Sequence, residues 1–322
     1  MVTATIDGVV VSWTNEWSGL ATSAPAADSS SPAPAAASSP PVDVNVNLAA
    51  PASPTSAAPA ATSSAASNEG SISSSSGGWS RQAYYDSSSA TADGLVFLNH
   101  FGGSGSGVFD YTFGNSLSYA STDGNAGASS PQTLEDTTLP STAEVVIMSD
   151  KECGDNNGDC GYYRPNTTAY HGFDGAQKAF FFEFQMPSDG KQAANPYDPA
   201  NMPAIWMLNA QIPRTLQYGN GDCSCWTSGC GEFDIFEVLA PGDSRMKSTL
   251  HGNVAGGDSD YFDRPFNAPI KGALVMYDNN IHIKLLDNDQ EFSETLATDV
   301  INNICGTTIN QSNKVSVMNL NG

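Results

Sequence analysis

Three carboxylates lie close together in the segment GEFDIFE at 231–237. Glu232, Asp234 and Glu237 are interspersed there with Phe and Ile, residues that favour a strand over a helix. Because the side chains of a strand alternate between two faces, Glu232 and Asp234 share one face, and strict alternation puts Glu237 on the other. One extra residue, a β-bulge at Ile235–Phe236, would return Glu237 to the face of the other two acids. We therefore predict a bulge in this strand.

The chemistry open to such a cluster follows from repulsion between its charges. Three acids on one face repel each other, and one bound proton relieves that repulsion. One carboxyl then stays protonated near neutral pH while a neighbour stays ionised, which is what glycoside hydrolysis by two carboxylates requires. A calcium site and an acidic surface strand are the alternatives.

The composition of the chain narrows the classes of partner. Its 322 residues include 34 acids and 12 bases, a formal net charge of −22, so nucleic acid and anionic membrane surfaces would be repelled. No run of residues is long and apolar enough to span a membrane. The low charged fraction, 14%, is typical of a secreted β-rich protein.

The cysteines and two sequons also favour secretion. An even count of cysteines favours disulfides in an oxidising compartment, and the six are Cys153, Cys160, Cys223, Cys225, Cys230 and Cys305. The triplets that begin at Asn166 and Asn310 fit N-glycosylation. The first residues lack the basic and apolar regions of a signal peptide, so we expect that the chain is trimmed there or comes from an incomplete gene model.

Two cysteine-containing segments have alternative readings. The segment CGDNNGDC at 153–160 favours a turn-rich loop closed by a disulfide, although its alternating acids also resemble the start of a calcium loop. Cys223, Cys225 and Cys230 could join His251 around a zinc ion, but their spacing matches none of the usual zinc patterns.

The organisation of the chain changes twice along its length. Residues 1–20 contain a short strand-like piece or the remnant of an N-terminal module, and 21–78 form an Ala/Ser/Pro/Thr-rich stretch that we predict to be a disordered linker. From 79 to 322 short apolar runs alternate with turn residues, which predicts one all-β domain, an antiparallel sandwich. The predicted strands are Leu95–Phe101, Val108–Phe113, Glu144–Met148, Ala179–Met186, Ala204–Leu208, Phe233–Leu239, Lys247–His251, Ala273–Tyr277 and Ile281–Leu286.

Four segments in order resemble glycoside hydrolase family 16: AFFFEFQMPSDG at 179–190, NMPAIWMLNA at 201–210, GEFDIFEVL at 231–239 and STLHGN at 248–253. The whole of 79–322 resembles more closely the fungal "target of SBF" cell-wall proteins, which are regarded as endo-β-1,3-glucanases. The segments VVIMSDKECG and IPRTLQYGNGDCSCWTSGCGEFDIFEVL are among those that show this likeness.

The resemblance implies roles for the acids. Glu232 would be the nucleophile, Glu237 the general acid/base, and Asp234 would hold a hydrogen bond and set the protonation of its neighbours. The family implies retention at the anomeric carbon, with carboxyl groups about 5–5.5 Å apart. His251 matches the family's Thr-x-His position, where it would hydrogen-bond in the site.

Other residues are candidates for binding sugar. Trp206 would be either a core residue or a wall that stacks on a sugar ring. Trp226 lies in a cysteine-rich loop that would form the rim of a cleft. Tyr218 and Asn209 are candidate hydrogen-bonding partners of sugar hydroxyls, although polar residues are common in loops in any case.

These observations together predict a secreted, monomeric fungal cell-wall glycosidase with a β-sandwich of jelly-roll type. The resemblance implies that its partner would be β-1,3-glucan; catalysis would need no cofactor, with a structural calcium ion as an open alternative. Three other functions remain: a glucan transglycosylase, a non-catalytic glucan-binding wall protein, and a structural mannoprotein built around the linker. The intact carboxylate triplet argues against the second, and the aromatic domain argues against the third.

Overall fold

The structure is a computed structural model. It describes residues 2–6, 9–13, 78–103, 105–110, 114–154, 160, 163–195, 198–208, 231–251, 257–259, 261–306 and 315–320. The predicted linker, 21–78, lies outside the described residues except for Gly78. Near the start of the chain, β1 (Val2–Ile6) and β2 (Val9–Trp13) pair as an antiparallel hairpin.

Short strands make up most of the rest, as the turn-punctuated sequence predicts. They are β3 (Gly78–Ser80), β4 (Tyr84–Asp86), β5 (Thr91–Asp93), β6 (Leu95–Asn99), β7 (Phe109–Asp110), β8 (Gly114–Asn115), β9 (Ser118–Ala120), β10 (Gly127–Ala128), β11 (Val146–Ser149), β12 (Lys178–Phe184), β13 (Ala204–Leu208), β14 (Glu232–Glu237), β15 (Arg245–His251), β16 (Gly257–Asp258), β17 (Phe262–Asp263), β18 (Ile270–Tyr277), β19 (Asn280–Leu286), β20 (Thr295–Ala297) and β21 (Val315–Asn319). Each of the predicted strands overlaps one of these.

Two antiparallel sheets contribute to one apolar core. The regular sheet has the strand order β12-β18-β19-β21, and the acidic sheet has the order β13-β14-β15-β16, with β17 also paired to β15. Leu274 and Ile283 of the regular sheet and Phe233 and Phe236 of the acidic sheet are buried in the same cluster. Antiparallel sheets that share a core in this way confirm the predicted all-β sandwich.

The described residues include one short helix, which the sequence did not predict. Helix α1 (Thr298–Cys305) packs on the regular sheet, where Ile301 and Ile304 meet Ala273 and Val275 in a second core cluster. Isolated helices of this length are marginal in water. Tertiary packing of two isoleucines spaced by three therefore stabilises a segment too short to show a clear helical period.

A third sheet has the order β10-β9-β6-β11, and the loop that follows it contains a disulfide. Cys153 and Cys160 are bonded, which confirms the disulfide reading of this loop. The acids between them, and Cys223, Cys225 and Cys230, lie outside the described residues. Among the described cysteines, Cys305 is outside any disulfide.

Candidate active site

The acidic strand β14 lies between two partners in its sheet, with β13 on one side and β15 on the other. Phe233 and Ile235 point into the core, where 3% and 2% of their surfaces are exposed. Glu232 and Asp234 occupy the alternate positions and therefore face away from that core.

The predicted β-bulge is present. Asp234 pairs with Thr249 and Glu237 pairs with Lys247, so two residues of β14 stand opposite one residue of β15. The pairing with β13 shifts at the same place, leaving Ile235 as the extra residue. The bulge sends Phe236 into the core after Ile235 and brings Glu237 back to the face of the other two acids.

All three acids are removed from water to a large degree. Glu232 is 6% exposed and Asp234 is 5% exposed, while Glu237 is partly buried. Burial, and then repulsion from Asp234 and Glu232, raises the pKa of Glu237 to about 8. Glu237 is therefore protonated at neutral pH, as a general acid must be.

His251 lies directly across the sheet from Glu232 and contacts the middle acid. Its Nε2 lies 3.0 Å from Oδ2 of Asp234. Burial lowers the pKa of His251, but the hydrogen bond to Asp234 and the nearby carboxylates outweigh that effect and raise it overall. The structure thus places His251 against an acid. The predicted hydrogen bond of His251 within the site is this one, and its contact with sugar stays a prediction.

Trp206 lies on the acidic face of the sheet. It pairs with Asp234 across β13 and β14, and directly opposed residues share a face. Its neighbours Ile205 and Met207 pack against the core instead. The partly buried indole is therefore placed beside the acids, where a sugar-stacking wall would stand. Three other predicted sugar-binding residues, Trp226, Tyr218 and Asn209, lie outside the described residues.

The structure adds residues of β15 that sequence reasoning missed. Lys247 and Thr249 lie on the same face as His251 and oppose two of the acids. The Lys247 ammonium nitrogen is 5.0 Å from the ring centre of Tyr261, and the Arg245 guanidinium lies 4.1 Å from that ring. Lys247 and Thr249 could have been found from sequence by their alternate spacing with His251, because every second residue of a strand lies on the same face.

The same groups also form a possible cation site. Ligand atoms of Glu232, Asp234 and His251 lie within 4.8 Å of one another. Two carboxylates and one imidazole suit several divalent ions. The arrangement is therefore capable of two-carboxylate acid/base chemistry, and Glu232, Asp234 and His251 offer a donor set for a divalent cation.

Comparison with known proteins identifies the family. Residues 77–304 match the family model described as "Cell wall protein YJL171C/Tos1, C-terminal". A Candida albicans protein named "Probable circularly permuted 1,3-beta-glucanase TOS1" is 49% identical over 70% of this chain and 49% of its own length. A Saccharomyces cerevisiae protein of the same name is 48% identical, again over 70% of this chain and 49% of its own length.

A third relative matches more of the chain. An Arthroderma benhamiae protein named "Probable circularly permuted 1,3-beta-glucanase" is 41% identical over 95% of this chain and 68% of its own length. The chain spans about half the length of the first two relatives. No solved structure matches the chain. The match of the family model over most of the chain shows that it belongs to the Tos1 family of cell wall proteins.

Proposed function

We propose that this chain is a secreted retaining endo-β-1,3-glucanase that remodels the fungal cell wall. One observation supports this above the others: the bulge gathers three carboxyl groups on one face, where burial and repulsion from Asp234 and Glu232 raise the pKa of Glu237 to about 8. The names of the relatives support the substrate, because those proteins are named as probable 1,3-beta-glucanases.

The proposed reaction has two steps. Glu237 donates its proton to the glycosidic oxygen while the Glu232 carboxylate attacks the anomeric carbon, so the C–O bond to the leaving sugar breaks and an ester to Glu232 forms. Glu237, now ionised, then takes a proton from water, and that water displaces Glu232. These steps need no cofactor.

Asp234 has a supporting part in this scheme. Its negative charge helps to raise the pKa of Glu237, and its hydrogen bond to His251 fixes its orientation between the two reacting carboxyls. Trp206, on the same face, would stack on a sugar ring and hold the polymer across the acids. We propose that a single chain forms the whole site.

We also propose that the protein reaches the cell wall through the secretory route. The disulfide between Cys153 and Cys160 needs an oxidising compartment. Asn166 is exposed and adopts a positive φ of 62°, next to Pro165 in a turn closed by a hydrogen bond from Thr167 to Arg164. A sequon in such a turn is accessible for an N-linked glycan. In the described part of the chain, no helix has the length and apolar character to cross a bilayer.

Glycosylation at Asn166 has its own test. The chain would be secreted from a fungal host and digested, and the peptides with and without enzymatic removal of N-glycans would be compared by mass. Thr168→Ala should abolish the glycan on Asn166, whereas Thr168→Ser keeps the sequon and should keep the glycan. An unmodified Asn166 in the wild-type chain would refute this site.

The proposed activity is tested by product analysis. The full chain would be incubated with laminari-oligosaccharides of defined length and the products analysed by mass spectrometry, with Glu232→Gln as the matched control. Shorter products from the wild type alone are the expected result. Longer products as well would indicate a transglycosylase. Binding without any new product would refute the glucanase and favour a glucan-binding wall protein, and neither binding nor product would favour a structural wall protein.

A further inference from the structure

A buried serine faces the bulge of the acidic strand. Ser248 is the residue of β15 that stands opposite both Ile235 and Phe236, because its neighbours pair with Asp234 and Glu237. Ser248 is 0% exposed, and its Oγ donates a hydrogen bond of 2.5 Å to the carbonyl oxygen of Ile235. The hydroxyl therefore contacts the extra residue of the bulge directly.

Two hydrogen bonds with Ser259 hold the backbone of Ser248 on the side away from β14. Its backbone N–H donates to Oγ of Ser259 at 2.8 Å, and the N–H of Ser259 donates back to the carbonyl oxygen of Ser248 at 2.9 Å. Ser259 is also buried, at 5% exposure. Bonds on both sides leave the Ser248 hydroxyl little freedom to leave the bulge.

Loss of the Ser248 hydroxyl would move Glu237 through a change in the backbone of β14. A buried carbonyl that loses its donor must find another, and the strand can do so by moving back toward regular pairing. A one-residue slip turns every following side chain to the other face. Any relaxation of the bulge therefore moves Glu237 relative to Asp234, while Glu232, on the other side of the bulge, stays in register with His251.

We propose that Ser248 is a positioning residue: its hydroxyl fixes the bulge at Ile235–Phe236 and so sets where the Glu237 carboxyl stands relative to Glu232 and Asp234. The consequence for turnover rests on the proposed glucanase function. The consequence for geometry does not, because it follows from the contacts of the strand alone.

The test compares Ser248→Ala with Ser316→Ala in the full chain. Ser316 is a buried serine of β21 in the regular sheet, so it controls for the loss of any buried hydroxyl. Glu237 would be titrated by NMR of carbon-13-labelled glutamate, with its signal assigned by its loss in Glu237→Gln. The kcat and KM values on laminari-oligosaccharides would be measured in parallel.

In Ser248→Ala we expect the Glu237 pKa to differ from its wild-type value, because relaxation of the bulge changes both the burial of the carboxyl and its distance from its acidic neighbours. We expect kcat to fall by about 10²-fold, the order of loss that follows a small misplacement, with KM little changed. Ser316→Ala should change neither quantity. A Ser248→Ala chain that matches Ser316→Ala in both would overturn the proposal.

Two further outcomes, an inactive wild type and a Ser248→Ala chain that does not fold, can also be interpreted. If the wild type shows no turnover but Ser248→Ala still changes the Glu237 pKa, the glucanase function fails and the positioning role stands. If Ser248→Ala does not fold, Ser248→Cys decides, because a thiol fills the same space with a weaker donor. A folded Cys variant with a changed Glu237 pKa supports the proposal, and one with the wild-type titration refutes it.

Discussion

The two sheets that share the core differ in how strictly they pair. In the regular sheet, β18 pairs with β12 and with β19 residue for residue and without a shift. In the acidic sheet, the pairing of β14 shifts on both sides at the same point. Both sheets contribute large apolar side chains to one cluster. The break in pairing therefore does not come from a lack of core.

The acidic residues of the two sheets also differ, in how far they are exposed to water. In the regular sheet, the Glu183 side chain is 53% exposed and lies 3.6 Å from the Lys271 ammonium, an arrangement worth little because water screens it. In the acidic sheet, Glu232 and Asp234 are buried beside Glu237. Regular pairing keeps acids at the surface, whereas the broken pairing gathers buried acids and raises the pKa of one of them.

The largest difference between the sheets should appear when each loses one glutamate carboxyl group. Glu237→Gln removes the proton donor, so kcat on laminari-oligosaccharides should fall by about 10²–10⁴-fold, the usual contribution of general acid/base catalysis. Glu183→Gln, the matched change in the regular sheet, should alter the rate less than about twofold, because it removes only a screened surface pair. Equal losses in the two variants would contradict the assignment of Glu237.

A smaller effect on activity should follow when a larger side chain in the regular sheet clashes with a residue of the bulge. A Cβ built on Gly272 of β18 would lie 3.0 Å from two ring atoms of Phe236, the core residue that the bulge turns inward. Gly272→Ala should therefore lower the free energy of unfolding by about 1–3 kcal/mol, as overpacking does. It should also reduce kcat, because movement of Phe236 moves Glu237.

A double-mutant cycle separates this contact from a general effect of alanine. Phe236→Leu makes room beside Gly272, so adding it to Gly272→Ala should recover part of the lost stability. Denaturant unfolding of the four chains measures the coupling. Additive losses would show that the clash with Phe236 is not the cause.

Much of the acidic sheet could be predicted from sequence, and the reasons are local. The alternation in GEFDIFE gives a strand, and the need to bring Glu237 beside Glu232 gives the bulge. What could not be predicted depends on distant partners. Ser248 and Gly272 act on the bulge only because separate strands place them against it, and neither position has a local signature.

Helix α1 and the histidine show the same limit. Eight residues with two buried isoleucines give too short a period to identify a helix, and only packing on the regular sheet fixes it. The contact of His251 with Asp234 depends on the register between β14 and β15, which a motif does not state.

The raised pKa of Glu237 should also appear as a pH dependence of stability. A carboxyl whose pKa is higher in the folded chain binds its proton more tightly there, so its contribution to stability is full below the unfolded pKa, about 4.3, and is lost as pH rises through the folded pKa. Since the pKa of Glu237 in the folded chain is about 8, wild-type stability should fall as the pH rises from about 4.3 to about 8. The Glu237→Gln variant has no titrating carboxyl at this position, so it should lose less stability than the wild type as the pH rises.

Thermal unfolding of both chains from about pH 4 to pH 9 measures this difference. The Tm of Glu237→Gln relative to wild type should rise steadily with pH, whereas Glu183→Gln should follow the wild type throughout. His251, whose pKa is also raised, adds a slope of the same sign to the wild type and to both variants. Parallel curves for wild type and Glu237→Gln would mean that Glu237 ionises normally in the folded chain.

The smallest expected effect compares one histidine from each sheet. His282 of β19 is 8% exposed, and its Nδ1 finds no hydrogen-bond partner among the residues that the structure describes, so burial lowers its pKa. His251 is held by Asp234 and surrounded by carboxylates, and its pKa is raised. NMR titration should therefore find His251 above, and His282 below, the usual value of about 6.5.

Asp234→Asn makes this comparison specific to the acidic sheet. It removes the charge that His251 faces, so the His251 pKa should fall, while the His282 pKa should stay in place because its cause is burial in the other sheet. His251→Gln and His282→Gln assign the two signals. If both histidines move together, the shift at His251 has a global origin and the acids on β14 are not its cause. If His251 alone moves, the Asp234 carboxylate is the local cause of the raised pKa of His251.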